Sequence, residues 1–259
     1  MTTLFATSTR LEAWIEATEY LLTNGSDLNI ILSISDPGSD GPNASIAYDE
    51  IDNFYASEDE WPIHTVAETI FPGWQYSKRG LRGVYETYET EYDTLKKGDP
   101  ARWGTYAHRL VRRRTADGQF VNPLEKLIEK MRDELHHQSI KRACFEIGVA
   151  EGEYDLPLYS TADDQNRRRG LPCLSHLSFK LFNDAVHLTA IYRSHDYRYK
   201  VPGNLLGLAR LQACVAHEVG LSIGTLVVHS TYAWVPGSKG PLHNLLGTLR
   251  QLTAKEINV

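Results

Sequence analysis

Apolar residues recur along the chain at two spacings, one helical and one alternating. From Ser8 to Thr23, Leu11, Trp14, Ile15, Ala17, Leu21 and Leu22 fall at helical spacing behind Ser8 or Thr9, and Asn24-Gly25 ends the run. An amphipathic helix is predicted there. Asn29 to Ile34 has the composition of a strand, and Ser35 to Ser45, rich in Asp, Pro, Gly and Ser, is expected to form a flexible surface loop. The clearest helix starts at the cap Asn122 with Pro123 in the first turn, and carries Leu124, Leu127, Ile128, Met131 and Leu135 on one stripe to about His137. Period two takes over at Leu177/Phe179/Leu181 and Val186/Leu188/Ala190, with Asn183-Asp184 between them, which predicts a β-hairpin. Leu205, Leu208, Leu211, Val215 and Val219 return to helical spacing, Gly220 closes that helix, and Gly224 to His229 is a further strand. Residues 93–100 and 151–172 are polar and irregular, and there is no internal repeat. The order of elements implies an α+β protein, a sheet with helices packed on one side, in a single domain over 1–259.

Composition narrows the partners. The 259 residues are 42% apolar and 23% charged with a formal charge of −6, which argues against a general DNA binder or a membrane-surface protein. An anionic ligand would have to be met by a local basic site. The first residues lack a basic stretch followed by an apolar one, and no window approaches a membrane span, so a cytoplasmic location is expected. Three cysteines without a Cys-x-x-Cys pair fit neither a disulfide framework nor a zinc ribbon, leaving at least one free thiol and no expected metal.

Cys173 follows three arginines, Arg167 to Arg169, and a Gly-Leu-Pro turn. That electropositive setting favours thiolate and hence a nucleophile, while position alone is equally consistent with a buried structural cysteine. Cys144 and Cys214 lie in apparent strand and helix patterns and are assigned to the core. Arg193-Ser194 at the end of the hairpin could grip a phosphate through a guanidinium fork and a hydroxyl. Asp196 adds a carboxylate, and Asn204 adds an amide that either recognises a ligand or caps its helix.

Together, Leu171-Pro172-Cys173, Tyr192-Arg193-Ser194-His195-Asp196, Val201-Pro202-Gly203-Asn204 and the helix end Ala213 to Gly220 resemble the thymidylate synthase family. The 23 positions from Cys173 to Asp196 and the eight from Asp196 to Asn204 match its pattern without a gap. Glu68 in Ala67-Glu68-Thr69-Ile70-Phe71 resembles the family's catalytic glutamate helix. Trp103-Gly104-Thr105-Tyr106 resembles its Gly-x-x-Tyr segment, and Lys141-Arg142 is similar to the Arg-Arg pair that reaches a neighbouring subunit's phosphate site. The resemblance runs from about Trp61 to Trp234.

It implies a thymidylate synthase-like fold whose other sheet face forms a homodimer interface. The implied ligands are a pyrimidine nucleoside monophosphate and a reduced folate, 5,10-methylenetetrahydrofolate. Cys173 would add to C6 of a uracil ring, Glu68 would manage protons through water, Tyr106 would complete the catalytic set and Asn204 would read O4 and N3–H. Asp196, with Trp103 and Gly203, would lie on the cofactor side. Arg193, Ser194 and, across the dimer, Lys141 and Arg142 would hold the 5′-phosphate. Tyr232 and Trp234 stand near the place of the family's ribose-gripping His-x-Tyr.

The chain departs from the family pattern at several points. Thr231-Tyr232-Ala233-Trp234 replaces His-x-Tyr, Leu174 follows the nucleophile where His is usual, and Gly203 stands for Phe beside Asn204. Lys200 stands where a Gly normally lies between Asp and Pro, and Ser35 to Ser45 contains no arginine. Three readings follow from the whole: thymidylate synthase chemistry on a uracil nucleotide, a pyrimidine nucleotide hydroxymethylase in which water quenches the methylene, and a relative that binds a nucleotide without turnover.

Overall fold

The computed structural model describes residues 2–88, 105–115, 117–137, 139–150 and 172–254. Trp103 and the arginines 167–169 lie outside the described residues, as do most of the two polar segments noted in the sequence. A seven-stranded mixed sheet is the frame. In chain order its strands are β1 (Thr3–Thr7), β2 (Asp27–Ile34), β5 (Glu146–Gly148), β6 (Leu174–Phe182), β7 (Ala185–Tyr192), β8 (His195–Asp196) and β9 (Ser222–Trp234), and a separate ribbon pairs β3 (Arg113–Arg114) with β4 (Phe120–Val121). The spatial order is β1-β2-β9-β7-β6-β5, with β8 beside β9. β6 and β7 pair antiparallel as the predicted hairpin, and Asn183 and Asp184 take the positive φ values its two-residue turn requires. β7 and β8 both run parallel to β9, so they form one interrupted line along it.

The helices among the described residues are α1 (Arg10–Asn24), α2 (Ala44–Ser57), α3 (Ile63–Glu68), α4 (Gly73–Glu86), α5 (Tyr106–Val111), α6 (Pro123–Glu134), α7 (Val201–Val219) and α8 (Lys239–Ala254). Local chemistry explains their ends. Thr9 and Glu12 form a reciprocal capping box on α1, and the Asn122 side chain caps α6 ahead of Pro123. None of the described helices is long and apolar enough to cross a membrane.

Alternation along the strands puts Ile30, Leu32, Ile34, Leu177, Phe179, Leu181, Val186, Leu188, Ala190, Leu226 and Val228 in the core. The intervening residues Ile31, Ser33, Thr189, Ile191, Val227 and His229 are only partly buried. The helices therefore cover one face, and the described residues leave the other uncovered. Two expectations need correction. The loop after β2 is pinned: Arg10 reaches the Pro37 carbonyl and the Asp40 carboxylate, and Tyr48 also bonds Asp40. Cys144 is exposed in a 3-10 turn, Arg142–Cys144, whereas Cys214 is buried as expected.

α7 is buried along nearly its whole length and α3 packs directly across it. At Gly203 a Cβ would sit 2.5 Å from Val66 Cβ and 2.8 Å from the Ile63 carbonyl; at Gly207 it would sit 2.8 Å from the Ala67 carbonyl. The two glycines, one turn apart, let the helix backbones touch. Gly203→Ala should lower stability by about 1–3 kcal/mol through overpacking, read as a fall in melting temperature. An unchanged melting temperature would remove this packing role.

Candidate active site

Cys173 immediately precedes β6 and is held through its backbone. Its N–H donates to the Tyr106 hydroxyl (2.9 Å), and its carbonyl accepts from Arg193 N–H (2.9 Å). Leu174 N–H also donates to Tyr106 (3.3 Å). Tyr106 opens α5 behind the cap Thr105, and Ala107 N–H donates to the Thr69 carbonyl (2.9 Å). The end of α3, the start of α5, Cys173 and Arg193 thus form one hydrogen-bonded cluster.

The thiol is half-buried, and burial pushes its pKa up from the ordinary value. The Arg193 charge pulls it back down and Asp196 adds a smaller upward push. The arginines 167–169, on which the expectation of an electropositive thiolate rests, lie outside the described residues; among those described, desolvation outweighs the pull of Arg193.

Between β7 and β8 the chain leaves the sheet at Arg193 and Ser194. Thr231 replaces the lost ladder bonds, donating its hydroxyl to the carbonyls of Tyr192 and Arg193. On re-entry at His195 the line carries a set of buried polar groups. Asn204 Nδ2 donates to His195 Nε2 (3.0 Å), His195 Nδ1 lies 2.9 Å from Ser230 Oγ, and Ser230 Oγ lies 3.1 Å from the Tyr197 hydroxyl. Asn204 does not cap α7, which starts at Val201; the residue is 5% exposed and its amide is turned to His195. The His195 ring stacks on Tyr192 with centroids 3.9 Å apart and planes 4° from parallel. Burial depresses its pKa to about 3, so the ring is neutral. The Tyr192 hydroxyl is buried without a hydrogen-bond partner among the described residues, and Tyr192 pairs in register with Leu174, the residue after Cys173. Tyr192 thus links the Cys173 cluster to the Asn204 cluster.

Asp196 accepts from the backbone N–H groups of Arg198 (2.8 Å) and Tyr199 (3.1 Å) through Oδ1, and burial raises its pKa despite those bonds. It pairs in register with Trp234, 37% exposed, two residues beyond Tyr232, 40% exposed. Cys173, Tyr106, Arg193, Asp196 and Asn204 are all fixed at this end of the β7–β8 line, and Ser194 lies within its interruption.

Other expected site residues have different surroundings. The Glu68 carboxylate accepts from Arg210 (3.0 Å), which also contacts His64 Nδ1 (2.7 Å). Arg210 lies six residues, about 9 Å of helix, beyond Asn204. Gly203 is corrected from the cofactor side to the α3 contact, since Val66 fills the space its side chain would occupy. Arg142 donates to the Leu181 carbonyl at the far end of β6, and Lys141 N–H donates to Glu134. Leu181 lies eight positions along the strand from Cys173, about 26 Å, so neither Lys141 nor Arg142 joins this chain's own Cys173 cluster.

His195, Ser230, Tyr197 and Tyr192 were not singled out from the sequence. One signal was present: Ser230 continues the core parity of Gly224, Leu226 and Val228, and a polar residue at a core position needs a buried partner.

A half-buried thiol at the start of an inner strand of a mixed sheet, with a buried amide on a long helix packed against that sheet, is set in an α+β fold. Thermostable thymidylate synthase A from Bacillus subtilis has this fold, with a TM-score of 0.56 at 13% identity over 94% of this chain and 84% of that one. Sequence similarity points the same way. A protein named "Putative thymidylate synthase" from Methanococcoides burtonii is 35% identical over 131 residues, 51% of this chain and 52% of that protein. Proteins of the same name from Methanosarcina mazei and Methanocaldococcus jannaschii are 40% identical over 65 residues and 28% identical over 125 residues. These matches cover 25% and 48% of this chain, and 30% and 51% of the relatives. The chain spans about half or less of the length of the curated relatives it matches, and no family model matches it. The chain thus shares its fold with a thymidylate synthase and is similar over part of its length to proteins named putative thymidylate synthase.

Proposed function

We propose that the protein transfers a one-carbon unit from a reduced folate to C5 of a pyrimidine nucleoside monophosphate, with dUMP converted to dTMP as the best-supported reaction. The observation that carries this reading is the placement of Cys173 between Tyr106 and Arg193, with the buried Asn204 amide connected through His195 and Tyr192. The Cys173 thiolate adds to C6, forming the S–C bond while the C5=C6 pair moves onto C5 and O4. Asn204 reads the O4 and N3–H edge, and Arg193 with Ser194 meets the phosphate. Glu68, ion-paired to Arg210 in the free protein, serves proton transfer through water.

The half-buried Asp196 carboxylate beside the accessible indole of Trp234 suits a flat heteroaromatic ring with N–H donors, so these two residues fit a pterin. When bound, the folate supplies the one-carbon unit. Asp196 orients that ring and Trp234 shields the site from water. Tyr232 takes the ribose side. We place the chain in the cytoplasm as one domain, pairing as a homodimer through its uncovered sheet face, which brings Lys141 and Arg142 to the partner's phosphate.

The test is incubation with methylenetetrahydrofolate and each of dUMP, UMP, dCMP and CMP, following dihydrofolate absorbance and the mass of the nucleotide product. A methyl product with dihydrofolate is expected from dUMP. A hydroxymethyl product without dihydrofolate would assign the water-quenched reaction instead, and no product from any of the four would leave only nucleotide binding.

A further inference from the structure

The buried polar groups behind Asn204 have a consequence for the base. An asparagine amide can present either end to a ligand, and the two ends suit different pyrimidines. Uracil offers a donor at N3–H and an acceptor at O4. Cytosine offers the reverse, an acceptor at N3 and a donor at the 4-amino group. In one binding pose the same amide must therefore turn over to read the second base.

Here its orientation is constrained from behind by a chain of hydrogen bonds. Asn204 Nδ2 donates to His195 Nε2 (3.0 Å), which requires the ring's single proton to be on Nδ1, where it meets Ser230 Oγ (2.9 Å). Ser230 is held in turn by the Tyr197 hydroxyl, and the Tyr197 carbonyl is tied to the Trp14 indole N–H (2.6 Å). The His195 ring cannot swing away, because it stacks on Tyr192 and meets Tyr197 edge-on. Nor can it readily take a second proton: no carboxylate among the described residues bonds to it, and burial disfavours its cation. Turning the amide would set Oδ1 against the bare Nε2 lone pair, or require the protons on His195 and Ser230 to rearrange together.

We propose that His195 sets the base selectivity of this site, fixing the Asn204 amide so that Oδ1 accepts from N3–H and the remaining Nδ2–H donates to O4 of a uracil ring. The inference rests on the proposed function, in which Asn204 reads the base. His195 is a positioning residue: it touches Asn204 and not the nucleotide.

Calorimetric affinities for dUMP and dCMP test it, with thermal melts reporting folding. The native protein should prefer dUMP by about tenfold or more, since an unpaired buried hydrogen-bonding group is costly. His195→Phe keeps the stacked ring but removes both nitrogens, and should erase most of that ratio, chiefly by admitting dCMP. His195→Gln, whose amide reaches the Nε2 position, should restore it. If His195→Phe fails to fold, Ser230→Ala frees the His195 tautomer and should reduce the ratio in the same direction. A folded His195→Phe or Ser230→Ala protein with the native dUMP/dCMP ratio would overturn the proposal, as would native protein that binds both nucleotides equally. Native protein that binds neither would instead refute the proposed function on which it rests.

Discussion

Replacing Cys173 with Ser should reduce turnover by about three orders of magnitude or more, with little change in melting temperature. The side chain is half-buried and its placement comes from backbone bonds to Tyr106 and Arg193, which serine keeps. What is lost is the proposed nucleophile, because a hydroxyl is far less ionised than a thiol and a weaker nucleophile toward an electron-poor ring carbon. The pH dependence of the native protein follows from the same site. Burial raises the thiol above its ordinary value of 9.0, and Arg193 offsets only part of this. The thiolate is therefore the minor form at neutral pH, and kcat/KM should climb from about pH 7 to pH 9. A flat profile over that range would mean either that nucleotide binding itself ionises Cys173 or that another step limits the rate. Full activity in Cys173→Ser would sink the covalent mechanism altogether.

Those features that one short segment controls could be read from the sequence. The Asn122 cap followed by Pro123 and a single leucine-rich stripe specifies α6 without help from the rest of the chain, and the Asn183-Asp184 turn specifies the hairpin. The spacing of Cys173, Asp196 and Asn204 was equally readable, because one sheet edge and the helix that follows it carry all three. Partners distant in the chain were not readable. Arg10 pins the loop around Asp40 from about thirty residues away, so a segment with flexible composition is held in place. Gly203 looked like a change in the cofactor pocket, yet the reason for it is Val66. Composition around Cys173 suggested a lowered thiol pKa through arginines 167–169, which lie outside the described residues; among those described, burial, which has no local sequence signature, raises it. α4 was hidden for a different cause: Gly80 breaks it with φ of 61°, and among its residues only Gly83 and Val84 are buried, leaving no apolar stripe to detect. α8 did carry such a stripe, with Leu242, Leu245, Leu246 and Leu249 all buried, but it lies beyond Trp234, where the resemblance ends.

Arg198→Met should be among the most destabilising single changes near the site. The Arg198 side chain is 1% exposed. Its guanidinium forms a two-pronged pair with the Glu58 carboxylate, donates to the Ser238 carbonyl (2.7 Å) and lies over the Phe54 and Tyr199 rings at 5.1 and 5.3 Å. Glu58 caps the end of α2, Ser238 precedes α8, and Arg198 follows the Asp196 turn, so one side chain joins three segments around the site. Removing it leaves Glu58, 21% exposed, with only Tyr199 as a hydrogen-bond partner (2.8 Å). Breaking a fully buried pair costs about 3–5 kcal/mol, and partial hydration of Glu58 puts this one near the lower end, at roughly 3 kcal/mol. The melting temperature should fall by roughly 6–12 °C. The loss should depend on pH with a definite sign. Hydrogen bonding to Arg198 holds the Glu58 carboxyl below its ordinary value of 4.5, and Tyr199 assists. A depressed carboxylate stabilises the fold above its unfolded-state value, and that contribution fades as pH falls through the folded-state value. Melting curves of the two proteins should therefore be widely separated near neutral pH and converge well below about pH 4. A separation that stayed constant into acid would show that Arg198 acts through packing on Phe54 and Tyr199, with the ion pair contributing nothing net. The convergence, if found, would also show that the turn presenting Asp196 is fastened by a charge pair, so that acid should loosen the surroundings of Asp196 before it disturbs the Cys173 cluster.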